Sequence, residues 1–435
     1  MSTNISYLNS ALFDEAVLKS DKPFIVDFFS DECPPCDVLA PIYEKLAEKY
    51  DGHIKFVKIF RQENRELAAS LHVTGSPTVL FFKDGVEVGT RLSGYLSKAQ
   101  VRLAIENVLG DVLPKTAMRR VDCQLLILGA GPAGLSAAIY AARAKVQTVV
   151  LDVSVPGGQA ASTYHIENYP GTAGAVGGKA LTENMRRQAE QFGAVVDDLK
   201  EIFEVRLTEK IKVVRTEDTE YFAGAVIIAS GAAPRALPAE NAESFVGKGV
   251  HYCATCDGSM YQDRKIIVVG GGDSAVEEAL YLTKFASHVT LIHRSQFRAA
   301  KSLLDKLTSH DKIDVILDTK IRKVVGKDYA LTHVVLENVK TGAVTELPTE
   351  GAFVYIGSEP ATQLYRGQLA TDDAGYIIAG EDTKTTVPGV FAAGDIRTKL
   401  IRQVVTAAAD GAVAGIMAER YLSETQSRLT GANMG

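Results

Sequence analysis

The sequence contains no tryptophan and only five cysteines among its 435 residues. So few cysteines exclude a small secreted fold held together by several disulfides. No apolar run approaches the roughly 18 residues of a membrane-spanning helix, and the N-terminal residues lack the basic and apolar regions of a signal peptide. Basic residues are not in excess, since 47 Lys and Arg stand against 53 Asp and Glu. We therefore expect no membrane insertion, no general nucleic-acid binding and a cytoplasmic location.

Four of the cysteines form two C-x-x-C pairs, Cys33/Cys36 and Cys253/Cys256. In a chain without an export signal this spacing indicates redox chemistry or metal binding. A zinc site would need further ligands at matched spacing, and neither His53 nor His72 provides them for the first pair. The 216 residues between the two pairs argue against one four-cysteine site. We therefore expect two redox dithiols and no metal, with Cys123 as a small buried apolar residue.

The length predicts about three domains of roughly 150 residues. Apolar strands alternate with amphipathic helices, which indicates an α/β protein. Near the N-terminus, a strand–helix unit precedes two adjacent strands joined by an Asp-Gly turn, so a mixed sheet is expected there. Further on, two separate strand–turn–helix–strand units predict two Rossmann-like domains. The expected division is a first domain at 1–109, a linker at 110–120, a second domain at 121–233 with 358–435, and a third domain at 234–357.

The first glycine-rich turn comprises Gly129, Gly131, Pro132, Ala133 and Gly134, between an apolar strand and a helix. Its glycines permit a tight turn, close approach of a pyrophosphate and close packing of helix on strand, with the phosphates at the helix N-terminus. Asp152 ends the next strand, 23 residues after Gly129. That is near the spacing of an acid that binds ribose hydroxyls. This setting favours a dinucleotide site over a chance loop.

The second glycine-rich turn comprises Gly270, Gly272, Asp273, Ser274 and Ala275, in the same setting. Its following strand ends at His293 and Arg294, with Arg298 close behind and no acid. An acid at this point favours a free 2′-hydroxyl, whereas cations favour a 2′-phosphate. The pattern predicts NADPH rather than NADH, and solvated surface cations at a strand end are the alternative.

A third feature is the pair Gly394-Asp395 at the end of another apolar strand. Such an aspartate can bind a ribitol hydroxyl, and a simple β-turn is the alternative. Two dinucleotide sites of different polarity, with this third element, suggest one flavin and one nicotinamide.

Each dithiol has a distinct local setting. Cys33 follows a strand and begins a helix, whose N-terminus lowers the pKa of a nearby thiol. The prolines between Cys33 and Cys36 stiffen the loop, while the Glu32 carboxylate acts in the opposite sense on the thiol pKa. Cys256 is followed by Asp257, which is placed to act as acid and base for a leaving thiolate.

Residues 1–109 resemble thioredoxin, and the shared features are Asp27, Cys33, Cys36, Pro41, Lys58 and the stretch Gly75-Ser76-Pro77-Thr78. The resemblance implies a thioredoxin fold with a cis peptide bond before Pro77, next to the dithiol. It also implies that Asp27 with Lys58 serves proton transfer to Cys36. A buried Asp27–Lys58 pair that serves stability alone is the alternative. Glu32 departs from the family, which has tryptophan there.

Residues 121–435 resemble the low-molecular-weight thioredoxin reductase. The shared motifs, in order, are GAGPAG (129–134), PGGQ (156–159), IENYPG (166–171), Ala229-Ser230-Gly231, GKGVHYCATCDG (247–258), GGGDSA (270–275), VFAAGD (390–395) and RQVVTAAADG (402–411). The resemblance implies FAD, NADPH and a homodimer. The residues it assigns to the flavin are Gly158, Gln159, Asn168, Ala229, Gly231, Arg402, Gln403 and Val404. Ser295 stands where the family has a second arginine after the histidine.

Together the two resemblances imply a thioredoxin fused to its own reductase. Electrons would pass from NADPH through FAD to Cys253/Cys256, then to Cys33/Cys36 and to protein disulfides, with Cys256 facing the flavin and Cys253 attacking the partner disulfide. One alternative is a peroxiredoxin reductase that resembles the alkyl hydroperoxide reductase flavoprotein. Two others are a redox sensor without turnover and a reductase whose N-terminal domain only docks other thioredoxins.

Overall fold

A computed structural model of the chain describes residues 4–31, 33–94, 96–110, 113, 117–161, 163, 166, 168–246, 248–327 and 330–431, with the side chains of 34, 255, 256 and 427–431 left aside. The chain forms two compact units. The first comprises Met1–Cys123, Leu151–Val155 and Val196–Ala223, and the second comprises Gln124–Val150, Pro156–Val195 and Gly224–Gly435. Among the described residues, no helix is both long and apolar enough to cross a membrane.

The N-terminal part of the first unit is built on a five-stranded mixed sheet, as expected. Its strands are β1 (Ile5–Tyr7), β2 (Phe24–Phe29), β3 (Lys55–Phe60), β4 (Thr78–Lys83) and β5 (Val86–Ser93), in the order β1-β3-β2-β4-β5. Its helices are α1 (Ser10–Phe13), α2 (Pro34–Lys49), α3 (Arg65–Ser70) and α4 (Lys98–Leu109). The first three strands in the order are parallel, and β4 and β5 run antiparallel to their neighbours. Successive residues of β2 point to opposite faces, so Ile25 and Val26 belong to two different apolar clusters.

Specific residues define both ends of the helix α4. Ser97 and Gln100 form a reciprocal capping box at its start, which satisfies two backbone N–H groups that the helix leaves unpaired. Gly110 follows its last residue with a φ of 63°. Gly110 therefore marks the end of the helix, at the first residue of the predicted linker.

Segment 196–223 of the first unit packs against α2 and α4 through a set of ion pairs, which we call the dock. Its pairs are Lys45–Asp198 at 2.6 Å, Arg102–Glu201 at 2.9 Å and Lys98–Glu217. The Lys98 ammonium also donates to the Leu199 carbonyl at 2.5 Å, and the Leu199 side chain is fully buried in the apolar cluster below the sheet. The dock therefore combines apolar burial with paired charges.

A seven-stranded sheet follows in the chain. Its strands are β6 (Arg119–Leu128), β7 (Thr148–Leu151), β8 (Val195–Asp197), β9 (Ile202–Arg206), β10 (Lys212–Thr216), β11 (Thr219–Ile228) and β22 (Val390–Ala392). Their order is β8-β7-β6-β11-β10-β9, and β22 pairs in parallel with β11. The accompanying helices are α5 (Pro132–Arg143), α6 (Gly158–Ala161), α7 (Gly178–Gln191) and α11 (Val404–Gly431). β6 begins at Arg119, inside the predicted linker, and residues 111, 112 and 114–116 of that linker lie outside the described residues.

A five-stranded parallel sheet forms the core of the third predicted domain. Its strands are β13 (Val250–His251), β14 (Lys265–Gly270), β15 (His288–Ile292), β16 (Ile313–Ile316) and β20 (Gly351–Tyr355), in the order β13-β20-β14-β15-β16. Its helices are α8 (Ala254–Asp257), α9 (Asp273–Leu282) and α10 (Lys301–Thr308). An antiparallel sheet comprises β17 (Thr319–Lys327), β18 (Ala330–Asn338) and β19 (Val344–Pro348). The strands β12 (Ala232–Pro234) and β21 (Ser358–Pro360) pair with each other near the two predicted domain crossings.

The dock predicts a measurable effect of one substitution. Both side chains of the Lys98–Glu217 pair are over nine-tenths buried. Lys98→Met leaves the Glu217 carboxylate buried without its cation, and we expect the free energy of unfolding to fall by about 3–5 kcal/mol. Urea denaturation followed by circular dichroism measures this.

Two further variants control that experiment. The double variant Lys98→Met with Glu217→Met should recover much of the loss, because neither charge is then unpaired. Lys19→Met breaks an exposed pair with Glu15 and should change stability by less than about 1 kcal/mol. Equal losses in the single and double variants would contradict an energetic coupling between Lys98 and Glu217.

Candidate functional site

The first dithiol is a disulfide between Cys33 and Cys36 at the start of α2. Cys33 precedes the first helical residue, and its sulfur accepts a hydrogen bond from the Cys36 N–H at 3.3 Å. The Cys33 sulfur also lies 3.4 Å from the Ser76 carbonyl oxygen, next to the Ser76–Pro77 peptide bond, which is cis. The disulfide and the cis-proline loop therefore form one surface. Glu32 lies outside the described residues.

Asp27 is buried in the sheet that carries this dithiol. The strand register places it opposite Lys58 on β3 and Val79 on β4, and its carboxylate is 3.6 Å from the Lys58 ammonium. Its Oδ1 has no hydrogen-bond partner among the described residues. Burial raises the pKa of Asp27 to about 6, and the Lys58 charge opposes that shift only in part. A carboxyl with a pKa near neutrality can both hold and release a proton at working pH.

The second dithiol lies at the carboxyl end of β13 and begins the short helix α8. Cys253 is disulfide-bonded, and the Cys256 side chain lies outside the described residues. The Ala254 N–H donates to the Tyr355 hydroxyl at 2.5 Å, which holds the first turn of α8 against β20. Among the described residues the only free cysteine is Cys123, which is buried.

A histidine that the sequence reasoning missed lies beside Asp257. The Nδ1 atom of His251 is 3.1 Å from Asp257 Oδ2, and its Nε2 atom is 2.6 Å from the Tyr261 hydroxyl. His251 is 4% exposed and its ring stacks on Phe353 with centroids 5.2 Å apart. The available signal was a histidine in a short buried strand, two residues before Cys253.

The first glycine-rich turn has the close approaches that its mechanism requires. A Cβ on Gly134 would lie 1.8 Å from the Gly129 carbonyl oxygen, so only glycine allows α5 to pack this tightly on β6. Gly131 precedes α5 in an extended conformation, with Pro132 as the first helical residue. The Gly158 and Gly131 backbones also approach closely, since a Cβ on Gly158 would be 3.1 Å from the Gly131 Cα.

The Gly394-Asp395 turn closes onto the same helix. Gly394 has a φ of 77°, and a Cβ there would be 2.8 Å from the Ala133 Cβ. The backbone N–H of Gly394 donates to the Asp410 carboxylate at 3.0 Å, and Arg397 pairs with Asp410 at 2.7 Å. Asp410 therefore anchors the turn from α11. It lies in a quoted motif, but sequence reasoning gave it no role because its partners are more than ten residues away.

Two buried polar atoms near this turn lack partners among the described residues. These are Asp395 Oδ1 and Arg402 Nε. Burial raises the pKa of Asp395, against the Lys399 and Arg402 charges, while the Arg402 guanidinium lies over the Tyr376 ring at 4.1 Å. Buried polar atoms of this kind are costly unless a ligand satisfies them.

The remaining residues predicted for this site have defined positions. The Asn168 side-chain amide donates to the Gln403 side-chain oxygen at 3.1 Å, and Val404 is the first residue of α11. The others are Gln159 in α6, Ala229 directly after β11, Gly231 before β12, and Asp152 directly after β7 with its carboxylate accepting from the Ser154 N–H at 2.8 Å.

The second glycine-rich turn joins β14 to α9. Gly270 ends β14 and α9 begins at Asp273, followed by the exposed Ser274 and the buried Ala275. Gly272 has no atom within 4 Å of a Cβ built on it, so its surroundings are open where a pyrophosphate would approach. The Asp273 carboxylate accepts from the Ala300 N–H at 2.7 Å and so holds the following loop.

The cations of this unit follow β15. The His293 ring lies against the Gly271 backbone, since a Cβ there would be 2.3 Å from the ring. Burial lowers the pKa of His293, and the Arg298 and Arg294 charges lower it further, which favours the neutral ring. Both arginines are exposed and form no ion pair with any residue in the described part of the chain. They are available to an anionic ligand.

Two families match the chain. The thioredoxin family model matches residues 4–107, and the model of the pyridine nucleotide-disulphide oxidoreductases matches residues 123–411. Among the described residues, no group of three or more His, Cys, Asp or Glu side chains is arranged to hold a metal ion.

Several known proteins are similar to most of the chain. It is 47% identical to a thioredoxin reductase of Peptoclostridium acidaminophilum over 307 residues, which cover 68% of this chain and 96% of that protein. It is 42% identical to one from Listeria monocytogenes over 308 residues, 70% of this chain and 95% of that protein. The crystal structure of the Streptococcus pyogenes thioredoxin reductase superposes with a TM-score of 0.66 at 42% identity, covering 70% of this chain and 99% of that one.

The buried Asp27 predicts a pH-dependent gain in stability. Its folded-state pKa of about 6 lies above the ordinary 3.8, so the stabilisation from its protonated form is complete below pH 3.8 and is lost as the pH rises through 6. At pH 8, Asp27→Asn removes a buried charge and should raise the free energy of unfolding by about 3 kcal/mol. At pH 4 the gain should largely vanish. Urea denaturation at both pH values measures it.

Asp21→Asn is the matched control, because Asp21 is exposed. It should change stability by less than about 0.5 kcal/mol at either pH. An equal gain for Asp27→Asn at pH 4 and pH 8 would show that packing, not the buried charge, sets its effect.

Proposed function

Because the chain belongs to the pyridine nucleotide-disulphide oxidoreductase family, as an enzyme of the thioredoxin reductase type joined to a thioredoxin domain, we propose that it is a self-contained disulfide reductase. Electrons pass from NADPH through FAD to Cys253/Cys256, then to Cys33/Cys36, and finally to protein disulfides. The observation that carries the proposal is the presence of both dithiols on one chain, each at the start of a helix.

The residues around the Gly394 turn support a flavin. Bound FAD would accept hydride and pass two electrons to the disulfide form of Cys253/Cys256. Asp395 Oδ1 and Arg402 Nε are buried and unpartnered among the described residues, which suits a ligand rich in hydroxyl, carbonyl and ring-nitrogen groups. Asn168 and Gln403 form a polar pair that would hold such a ring from the side. The close backbone approaches of Gly129, Gly131 and Gly134 suit its pyrophosphate, and Asp152 its ribose.

The second turn supports NADPH. The N-terminus of α9, with the open space at Gly272, would hold the pyrophosphate. The two exposed arginines at 294 and 298 would pair with the 2′-phosphate, and neutral His293 would lie beside it. Ser295 supplies one cation fewer than the resemblance leads one to expect.

The exchange between the dithiols balances without a further reagent. The Cys253 thiolate attacks the Cys33 sulfur, the Cys33–Cys36 bond breaks, and Cys36 leaves and takes up a proton. Cys256 then attacks Cys253, the mixed disulfide breaks, and Cys33 leaves. The reductase dithiol loses two electrons and two protons, and the N-terminal disulfide gains them. Asp257 and Asp27 would carry the protons, which their burial and their partners His251 and Lys58 support.

Fusion supports transfer to the chain's own thioredoxin domain. The predicted linker of about ten residues reaches at most about 35 Å, and a tether of this kind gives an effective concentration on the order of mM. The proposal also includes a homodimer, which the family resemblance implies, and the cytoplasmic location expected in the sequence analysis.

Turnover of insulin disulfides tests the proposed electron path. We expect the intact protein to oxidise NADPH with insulin and no added thioredoxin, and Cys33→Ser to lose this activity, because the carrier nucleophile is gone. NADH should support a lower rate, since it lacks the 2′-phosphate. The absorbance of NADPH at 340 nm measures it.

Two controls separate the alternatives. Cys123→Ser changes the buried free cysteine and should keep the activity. A protein that acts on insulin only after a separate thioredoxin is added would contradict the carrier role. An adapter domain, or a peroxiredoxin-specific carrier that turns over with oxidised peroxiredoxin alone, would then replace it.

The flavin site predicts opposite effects of Asp395→Ala on binding and stability. Flavin affinity should fall at least about tenfold, as for a lost hydrogen bond to a charged group. The flavin-free protein should be no less stable, because the change removes a buried carboxylate with an unpartnered oxygen. Flavin titration and thermal unfolding of the flavin-free protein measure the two effects.

Asp373→Ala is the control for that experiment, because Asp373 is exposed. It should change neither quantity. Unchanged flavin affinity in Asp395→Ala would remove this aspartate from the proposed site.

A further inference from the structure

A chain of hydrogen bonds leads from Asp257 through His251 to Tyr261, which lies beyond the shared motif at 247–258. His251 ends β13 two residues before Cys253, and both of its ring nitrogens have partners. One is the Asp257 carboxylate and the other is the Tyr261 hydroxyl. The histidine is thus a bridge between a group next to the dithiol and a tyrosine on the far side of the ring.

The chemistry of the partners fixes the direction of the hydrogen bonds. An ionised carboxylate only accepts, so the Nδ1–H of a neutral His251 donates to Asp257. The Nε2 atom then carries the lone pair and accepts from the Tyr261 hydroxyl. Burial raises the pKa of Tyr261, and the Asp257 charge adds to that rise, so the hydroxyl keeps its proton to donate. Every bond in the chain points toward Asp257.

The outer end of this chain meets a cavity of about 330 Å³. Tyr261 and His251 line it together with Lys248, Arg264 and Glu350. The Arg264–Glu350 pair, at 3.6 Å, is about half exposed, so the cavity opens to solvent. Water in a polar cavity of this size can supply protons to the Tyr261 hydroxyl.

We propose that Tyr261 and His251 form a proton relay that reprotonates Asp257 from the water of this cavity. One proton enters at the Tyr261 oxygen as its own proton passes to His251 Nε2, and the Nδ1 proton passes to Asp257. No electrons move, and the ring ends with its proton on Nε2. When the reductase dithiol is oxidised again and Asp257 takes up a thiol proton, that proton passes to Nδ1, the Nε2 proton passes to Tyr261, and the Tyr261 proton returns to the cavity water, which restores the starting tautomer. Both side chains act through Asp257 and are therefore positioning residues, not catalytic ones.

The relay rests on the proposed function, because it needs Asp257 to give a proton each time the Cys253 disulfide is reduced. Reduction of a disulfide to a dithiol takes up two protons with two electrons. The Asp257 side chain is only 18% exposed, and the His251 side chain beside it is 3% exposed. A path through the domain gives this carboxyl a second access to solvent.

Other ionisable groups near the relay shape its pH response. Tyr355 holds the Ala254 N–H, and its pKa is raised by burial and by nearby Glu278. Glu278 on α9 itself has a raised pKa because of burial. At the outer end, Arg264 and Glu350 act on Tyr261 with opposite signs.

The test combines substitution with rescue by an external proton carrier. Tyr261→Phe removes only the hydroxyl, and His251→Asn keeps a donor toward Asp257 without a second titrating nitrogen. We expect each to slow NADPH-dependent turnover at least about tenfold at pH 8 and less at pH 6, where protons are more abundant. Added imidazole should restore part of the rate, and the wild type should not respond. We expect the same ranking of wild-type and variant rates when dithiothreitol-reduced protein is oxidised by an aromatic disulfide without nicotinamide.

His288→Asn is the matched control, since His288 pairs with Asp314 on the other side of this domain at 2.9 Å. It should leave the rate and its pH profile unchanged. A slowing of both relay variants by the same factor at every pH, without rescue by imidazole, would overturn the relay and leave a packing role.

Asp257→Asn separates failure of the relay from failure of the function beneath it. If Asp257→Asn is slow while the two relay variants match the wild type, the relay alone is wrong. If Asp257→Asn also matches the wild type, the acid–base role of Asp257 in the proposed function is wrong, and the relay has nothing to supply.

Discussion

Every thiol–disulfide exchange moves protons as well as a bond, and in this chain a largely buried carboxyl group lies near each dithiol and is proposed to carry them. Asp27 is buried, with one ammonium at 3.6 Å and one oxygen without a hydrogen-bond partner among the described residues, and this burial raises its pKa to about 6. Asp257 has an imidazole at 3.1 Å. An ammonium chiefly stabilises the charged carboxylate, whereas an imidazole can also accept a proton on one nitrogen and release one from the other. The carboxyl groups near the two dithiols therefore have different partners.

Sequence reasoning predicted those features in which the room around the backbone dictates the residue type. Gly134 must be glycine because a Cβ would collide with the Gly129 carbonyl oxygen. Both residues belong to one six-residue motif, so the local sequence is enough to predict this contact. The mixed sheet was likewise predictable, since adjacent strands joined by an Asp-Gly turn can only pair antiparallel. Fold class and family follow from such local patterns, and the matched families agree with them.

Contacts between distant residues were not predictable in the same way. Lys98 and Glu217 are 119 residues apart, and each is an ordinary charged residue in its local sequence. Asp410 holds Gly394 from a helix that begins ten residues after the turn. His251 lies within a recognised motif, but its proposed role depends on Tyr261. The spacing of those two residues does not predict a hydrogen bond between them. A single sequence fixes neither the rotamer nor the register that creates these pairs.

The dock adds a constraint on how the N-terminal dithiol works. Lys45 lies nine residues after Cys36 on α2, about 14 Å along the helix axis. The dock therefore contacts α2 at a distance from the sulfur atoms. The cavity of about 360 Å³ beside it, lined by Val38, Ile42 and Phe203, leaves this contact incompletely packed. Incomplete packing lowers the cost of separating this contact, whereas the mutual attraction of Lys98 and Glu217 opposes separation, and renewed hydration of the two charges offsets only part of that attraction. In the proposed function the N-terminal dithiol exchanges with the reductase dithiol and with protein clients, which requires a contact strong enough to keep it local and weak enough to open.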